Sequence, residues 1–184
     1  MLELLTVLAL GLLIGGAVWL YNRLVRFRNR VSNAWADIDV QLKRRHDLIP
    51  QLVTMVQAYA DYEKATLTAV TELRTRSETA AHLPDKAQAE AAIADGVARL
   101  IVVAEDYPEL KADQNFRELQ TSLTEVEDYL QHARRYYNGA VRELNTRVQS
   151  VPDMFVARLF GFESAEFFDA EAAAEAPVTI GLER

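Results

Sequence analysis

The histidines His46, His82 and His132 come first in any search for chemistry here, because helical bundles hold metal ions with imidazoles and carboxylates projecting between their helices. A di-iron bundle needs a glutamate three residues ahead of a histidine, and none of the three has one. The H-E-x-x-H pattern is absent too, and His46 follows Lys43, Arg44 and Arg45, cations that repel a divalent ion. No glycine-rich phosphate loop, nucleophile elbow or Ser-His-Asp arrangement can be assembled. The expectation is therefore a non-enzyme, with no catalytic residue, no bound cofactor and no metal.

Polar residues inside apolar seams carry more information. Arg45 stands where the seven-residue steps from Ile38 to Leu52 call for an apolar side chain, and Glu63 falls seven residues after Val56. Further along, Glu127, Arg134, Asn138 and Asn145 share one helical side with Val141 and Val148. These six residues predict a buried polar layer. Its structural role is to fix helix register and partner choice, since buried charge must be paired and hydrogen-bonded; a ligand or proton-relay site is the rival reading. The turn from Glu105 to Lys111 is either a recognition corner or a packed connection.

The seam that positions Arg45 runs through Leu24, Val31, Trp35, Ile38, Leu42, Ile49, Leu52, Val56 and Tyr59, at three- and four-residue steps. Pro50 lies within it. Because the stripe keeps its phase across the proline, a kinked continuous helix is expected, against the alternative of a new helix capped by Asp47. The periodicity then carries the helix on through Leu67, Val70 and Leu73.

Ahead of the seam, Leu4 to Leu20 is apolar enough, with Met1 and Leu2, to reach the ~20 residues that cross a bilayer core. It lacks the positive start of a cleaved signal peptide and exits into Trp19, Leu20 and Tyr21, so a retained anchor is expected. Gly11 and Gly15 form a G-x-x-x-G pair, read either as an anchor-packing face or as merely tolerated glycines. Arg23, Arg26, Arg28 and Arg30 follow as a basic flank at the membrane surface, and the positive-inside rule keeps that flank cytoplasmic. No Gly or Pro separates Leu20 from Asp47, so anchor and bundle can share one helix.

Pro84-Asp85 opens a second helix with Ile93, Val97, Leu100, Ile101 and Ala104 on its apolar side, weakened slightly by Gly96 and ended by Pro108. A turn from Pro108 to Asn115 leads to the clearest helix. Its seam runs from Phe116 through Leu119, Leu123, Val126, Leu130, Ala133, Tyr137, Val141, Leu144 and Val148 to Val151, and Pro152 stops it. Asp153 begins a short amphipathic piece broken by Gly161. The fold class expected is all-α: an N-terminal transmembrane helix (1–21), an antiparallel helical bundle of long helices (22–168) and a disordered acidic tail (169–184). Net charge of −7 argues against a nucleic-acid partner, and the absence of cysteine excludes disulfides and thiolate metal sites.

At YNRLV (Tyr21 to Val25), RNRVSNAWADIDVQLKRRHDLIPQLV (Arg28 to Val53), AEDYPELKADQNFRELQ (Ala104 to Gln120) and ARRYYN (Ala133 to Asn138, with Asn145 beyond), the chain resembles the LemA family of bacterial membrane proteins. It departs from the family at Tyr62, where histidine is frequent, and at Leu144, where an aromatic is usual. The resemblance implies a single span and a cytoplasmic bundle at the bacterial inner membrane, and supplies no catalytic residue. The expected partners are the lipid bilayer, further copies of the same chain as a homo-oligomer, and an unidentified membrane protein. The expected role is a membrane-anchored, self-associating scaffold. Its rivals are a protein that binds or shapes anionic bilayers and a ligand-binding bundle.

Overall fold

The structure is a computed structural model and describes residues 1–59 and 64–168. Among the described residues the only regular elements are helices, with no strand. Helix α1 (Leu2–Gln57) spans 56 residues and runs without interruption through Pro50. Proline withdraws one backbone donor, and side chains cover carbonyls around it: the Thr54 hydroxyl donates to the Pro50 carbonyl (2.8 Å) and the Gln51 amide to that of Asp47 (3.4 Å). The helix does not restart at Asp47.

The expected extension through Leu67, Val70 and Leu73 is corrected. α1 ends at Gln57, and a separate helix, α2 (Lys64–Thr79), doubles back beside it. Leu67 is buried with Val56 near one end of the pair, while Glu78 lies 3.6 Å from His46 near the other. A three- and four-residue rhythm specifies which side of a helix is apolar, and a partner helix satisfies that side as well as collinear extension does. Tyr59, assigned to the seam, is largely exposed at the turn.

α3 (Leu83–Glu105) begins with Pro84 in its first turn and packs antiparallel on α2. At Gly96 an added Cβ would stand 2.5 Å from Val70 Cγ2, so the glycine permits a close approach of the two helices. The connection expected from Pro108 to Asn115 contains a short helix, α4 (Pro108–Ala112), that buries Leu110. Asp113 caps α5 (Gln114–Gln149) by accepting the Phe116 backbone N–H at 3.1 Å. α5 runs antiparallel to α1 down to α6 (Asp153–Phe160), which closes at Gly161 in the left-handed conformation (φ 69°).

Four helices thus surround one apolar cluster, built on Ile49, Leu52, Val56, Val70, Ile93 and Leu100. Below it α1 and α5 form a pair, sealed by the irregular segment 162–168, whose Phe168 sits against Trp35. Val151, at the end of the expected α5 seam, is exposed. The acidic tail expected at 169–184 and the residues 60–63 lie outside the described residues.

Candidate functional site

Arg45 is 2% exposed and Glu90 0% exposed, the most deeply buried charged pair described. Arg45 of α1 pairs through one guanidinium nitrogen with the Glu90 carboxylate of α3, donates to the Glu90 backbone carbonyl at 3.1 Å, and meets Glu127 of α5 at 2.8 Å. The other Glu90 oxygen takes the Ser77 hydroxyl of α2 and lies 2.7 Å from His46 Nε2. All four long helices meet here. Burial alone would raise the Glu90 pKa, but the His46 hydrogen bond, the Arg45 charge and the Ser77 hydroxyl outweigh it and bring it down to about 2. The carboxylate stays ionised at any ordinary pH.

Chemically the arrangement is a clamp. The Ser77 hydroxyl donates to the Glu90 carboxylate and ties α2 to α3. Among the described residues, no three His, Asp or Glu side chains come together as a candidate metal site. A charge removed from this cluster would strand its partners away from water.

Of the six residues expected in one polar layer, Arg45 and Glu127 meet in this cluster, and Glu63 lies outside the described residues. Arg134, Asn138 and Asn145 serve elsewhere. Asn138 Oδ1 accepts the Phe168 N–H (2.9 Å); Asn145 donates to the Ala165 carbonyl (2.9 Å) and accepts its N–H (2.8 Å). The Arg134 guanidinium lies 5.1 Å from the centre of the Phe168 ring, and the Tyr137 hydroxyl donates to the Glu166 carbonyl at 2.9 Å. Residues sharing a helical side from Glu127 to Asn145 spread over about 27 Å of axis, too far for one layer. Glu90, Ser77 and the buried Asp153 were missed. The signal was available for two of them: Glu90 precedes Ile93 and Val97 at steps of three and seven, and Ser77 follows Val70 by seven.

At the other end of the molecule, α1 is exposed from Leu2 through Gly16 and makes its first fully buried contact at Leu24. A Cβ added at Gly11 or Gly15 would meet nothing within 4 Å, so that face is open. The basic flank has a second use. Arg23 pairs with the buried Asp153 and lies over the Trp19 ring (4.6 Å), Arg28 lies over Phe162 (5.1 Å), and Arg30 pairs with Glu143. Arg26 is exposed.

A helical bundle clamped by a buried ion cluster, carried on one helix long and apolar enough to cross a membrane, defines a membrane-associated helical protein. Residues 34–181 match the sequence profile of the LemA family, and the chain belongs to that family. Magnetosome protein MamQ 2 of Paramagnetospirillum magneticum is 25% identical, over 96% of this chain and 75% of its own length. Magnetosome protein MamQ of Magnetospirillum gryphiswaldense is 23% identical over 94% of this chain and 73% of its own. Protein LemA of Metamycoplasma hominis is 24% identical over 81% and 68%.

Proposed function

We propose that this protein is a non-enzymatic scaffold of the bacterial inner membrane, anchored by residues 2–20 and self-associating through that anchor. One observation carries the reading: α1 leaves its apolar stretch uncovered and then, without a break, becomes the central helix of the bundle. Rotation or displacement of the anchor is therefore passed directly to the bundle. The open face at Gly11 and Gly15 allows a second anchor to approach closely, and confinement to one membrane raises the effective concentration of neighbours. The arginines after the span favour a cytoplasmic bundle, with the residues ahead of the span outside.

Sedimentation of the full chain in mild detergents tests it. The wild type is expected to sediment as an oligomer, and Gly11→Ile with Gly15→Ile to shift it toward monomer. A wild type that is monomeric in every detergent would end the self-associating reading.

A further inference from the structure

α6 is the last helix of the bundle before the apolar stretch of α1, and one of its faces is uncovered. Val156 and Ala157 are buried against Leu24, with Leu20, Tyr21 and Val25 alongside. On the outer side Phe155 and Leu159, one turn apart, are 63% and 77% exposed, and Val151, in the turn just ahead of the helix, is 67% exposed. Three large apolar groups left in water on so short a segment call for an apolar neighbour.

The placement of α6 says which neighbour. Asp153 at its start pairs with Arg23, and Phe160 at its end meets the edge of the Tyr21 ring, centroids 4.9 Å apart. Tyr21 and Arg23 are separated by about 3 Å along the α1 axis, whereas eight helical residues span about 12 Å. α6 therefore crosses α1 and does not run beside it. With α1 upright in a bilayer, α6 lies along the membrane surface, at the depth of Trp19 and Tyr21, residue types that settle at headgroup level. The exposed apolar stretch of α1 begins next to this level, Arg26 is exposed about 7 Å further along the α1 axis, and Arg158 is exposed on α6 itself.

We infer that α6 is an interfacial membrane helix, lying in the headgroup region with Phe155 and Leu159 dipped toward the acyl chains and the neighbouring arginines at the phosphates. This deepens the anchored-scaffold reading and rests on residues 2–20 spanning the bilayer. A second contact beside the span fixes the rotation and tilt of the bundle, which a single helix leaves free.

The chain has no cysteine, so single labels can be placed without background. Spin labels at Phe155→Cys, Leu159→Cys, Leu10→Cys and, on the exposed side of α5, Tyr136→Cys would be examined in the full chain, in nanodiscs of phosphatidylcholine with phosphatidylglycerol. The readout is collision with oxygen against collision with a water-soluble nickel chelate. Labels at 10, 155 and 159 are expected to favour oxygen and the label at 136 the chelate. If 10 favours oxygen while 155 and 159 behave like 136, the α6 inference falls and the anchor stands. If 10 also favours the chelate, both fall. Labels at 155 and 159 shielded from both reagents would put a second protein copy on this face, and overturn a lipid contact.

Discussion

Arg45 is the residue whose loss the bundle should feel most. Removing one member of a buried ion cluster costs ~3–5 kcal/mol, because the remaining charges stay in the interior without a partner. Arg45→Ala is therefore expected to lower the denaturant midpoint severely, and more than Arg44→Ala, whose contact with Glu125 is an exposed surface pair at 3.5 Å. Equal midpoints for the two variants would contradict the clamp. Glu90 makes the cluster pH-dependent in a definite direction. Its carboxyl titrates near 2 in the folded chain, against an ordinary value of 4.5. The unfolded chain takes up the proton first as pH falls, so this stabilisation is complete above the ordinary value and is lost between there and the folded value. The gap is on the order of 3 kcal/mol. Glu90→Gln should be less stable than wild type at neutral pH and lose less on acidification from pH 5 to 2. Parallel acid-denaturation curves would show that the cluster does not depress the carboxyl.

At the scale of elements, the contact of α2 with α3 turns on Gly96. Alanine is the better helix former by ~1 kcal/mol, but its Cβ would collide with a methyl of the stiff, buried Val70. Gly96→Ala is expected to destabilise by ~1–3 kcal/mol, with Val70→Ala restoring part of the loss. A stabilised single variant would mean that the helices separate readily. The segment 162–168 depends on two asparagines in the same way. Asn145→Ala removes both bonds to Ala165, so hydrogen exchange at the Ala165 amide should accelerate; unchanged protection would assign the hold on this segment to Phe168 alone. These elements also separate what could be read from the residues from what could not. The α5 seam was legible because its apolar steps are unbroken from Phe116 to Leu144, and Pro84 marked a real helix start. The turn after Gln57 was not, because Leu67 and Val70 keep the rhythm of α1 while packing back against it. The seven-residue steps flagged Arg45 from its own helix, but its partner Glu90 belongs to another helix, and a pairing between helices is a property of the fold.

The whole molecule is organised by α1, whose N-terminal third is uncovered and whose remainder meets α2, α3, α5 and α6. The ion cluster ties the four long helices together between the two main apolar clusters, while Arg23 with Asp153 fastens the end beside the apolar stretch. On this account the anchor and the bundle move as one body, with the bundle at the cytoplasmic face. Labelling of single cysteines by a membrane-impermeant maleimide in intact spheroplasts tests that arrangement most directly. A single cysteine added ahead of Met1 is expected to react in intact spheroplasts, and Tyr136→Cys only after the membrane is permeabilised. Reaction of Tyr136→Cys in intact spheroplasts, with the added N-terminal cysteine protected, would contradict it.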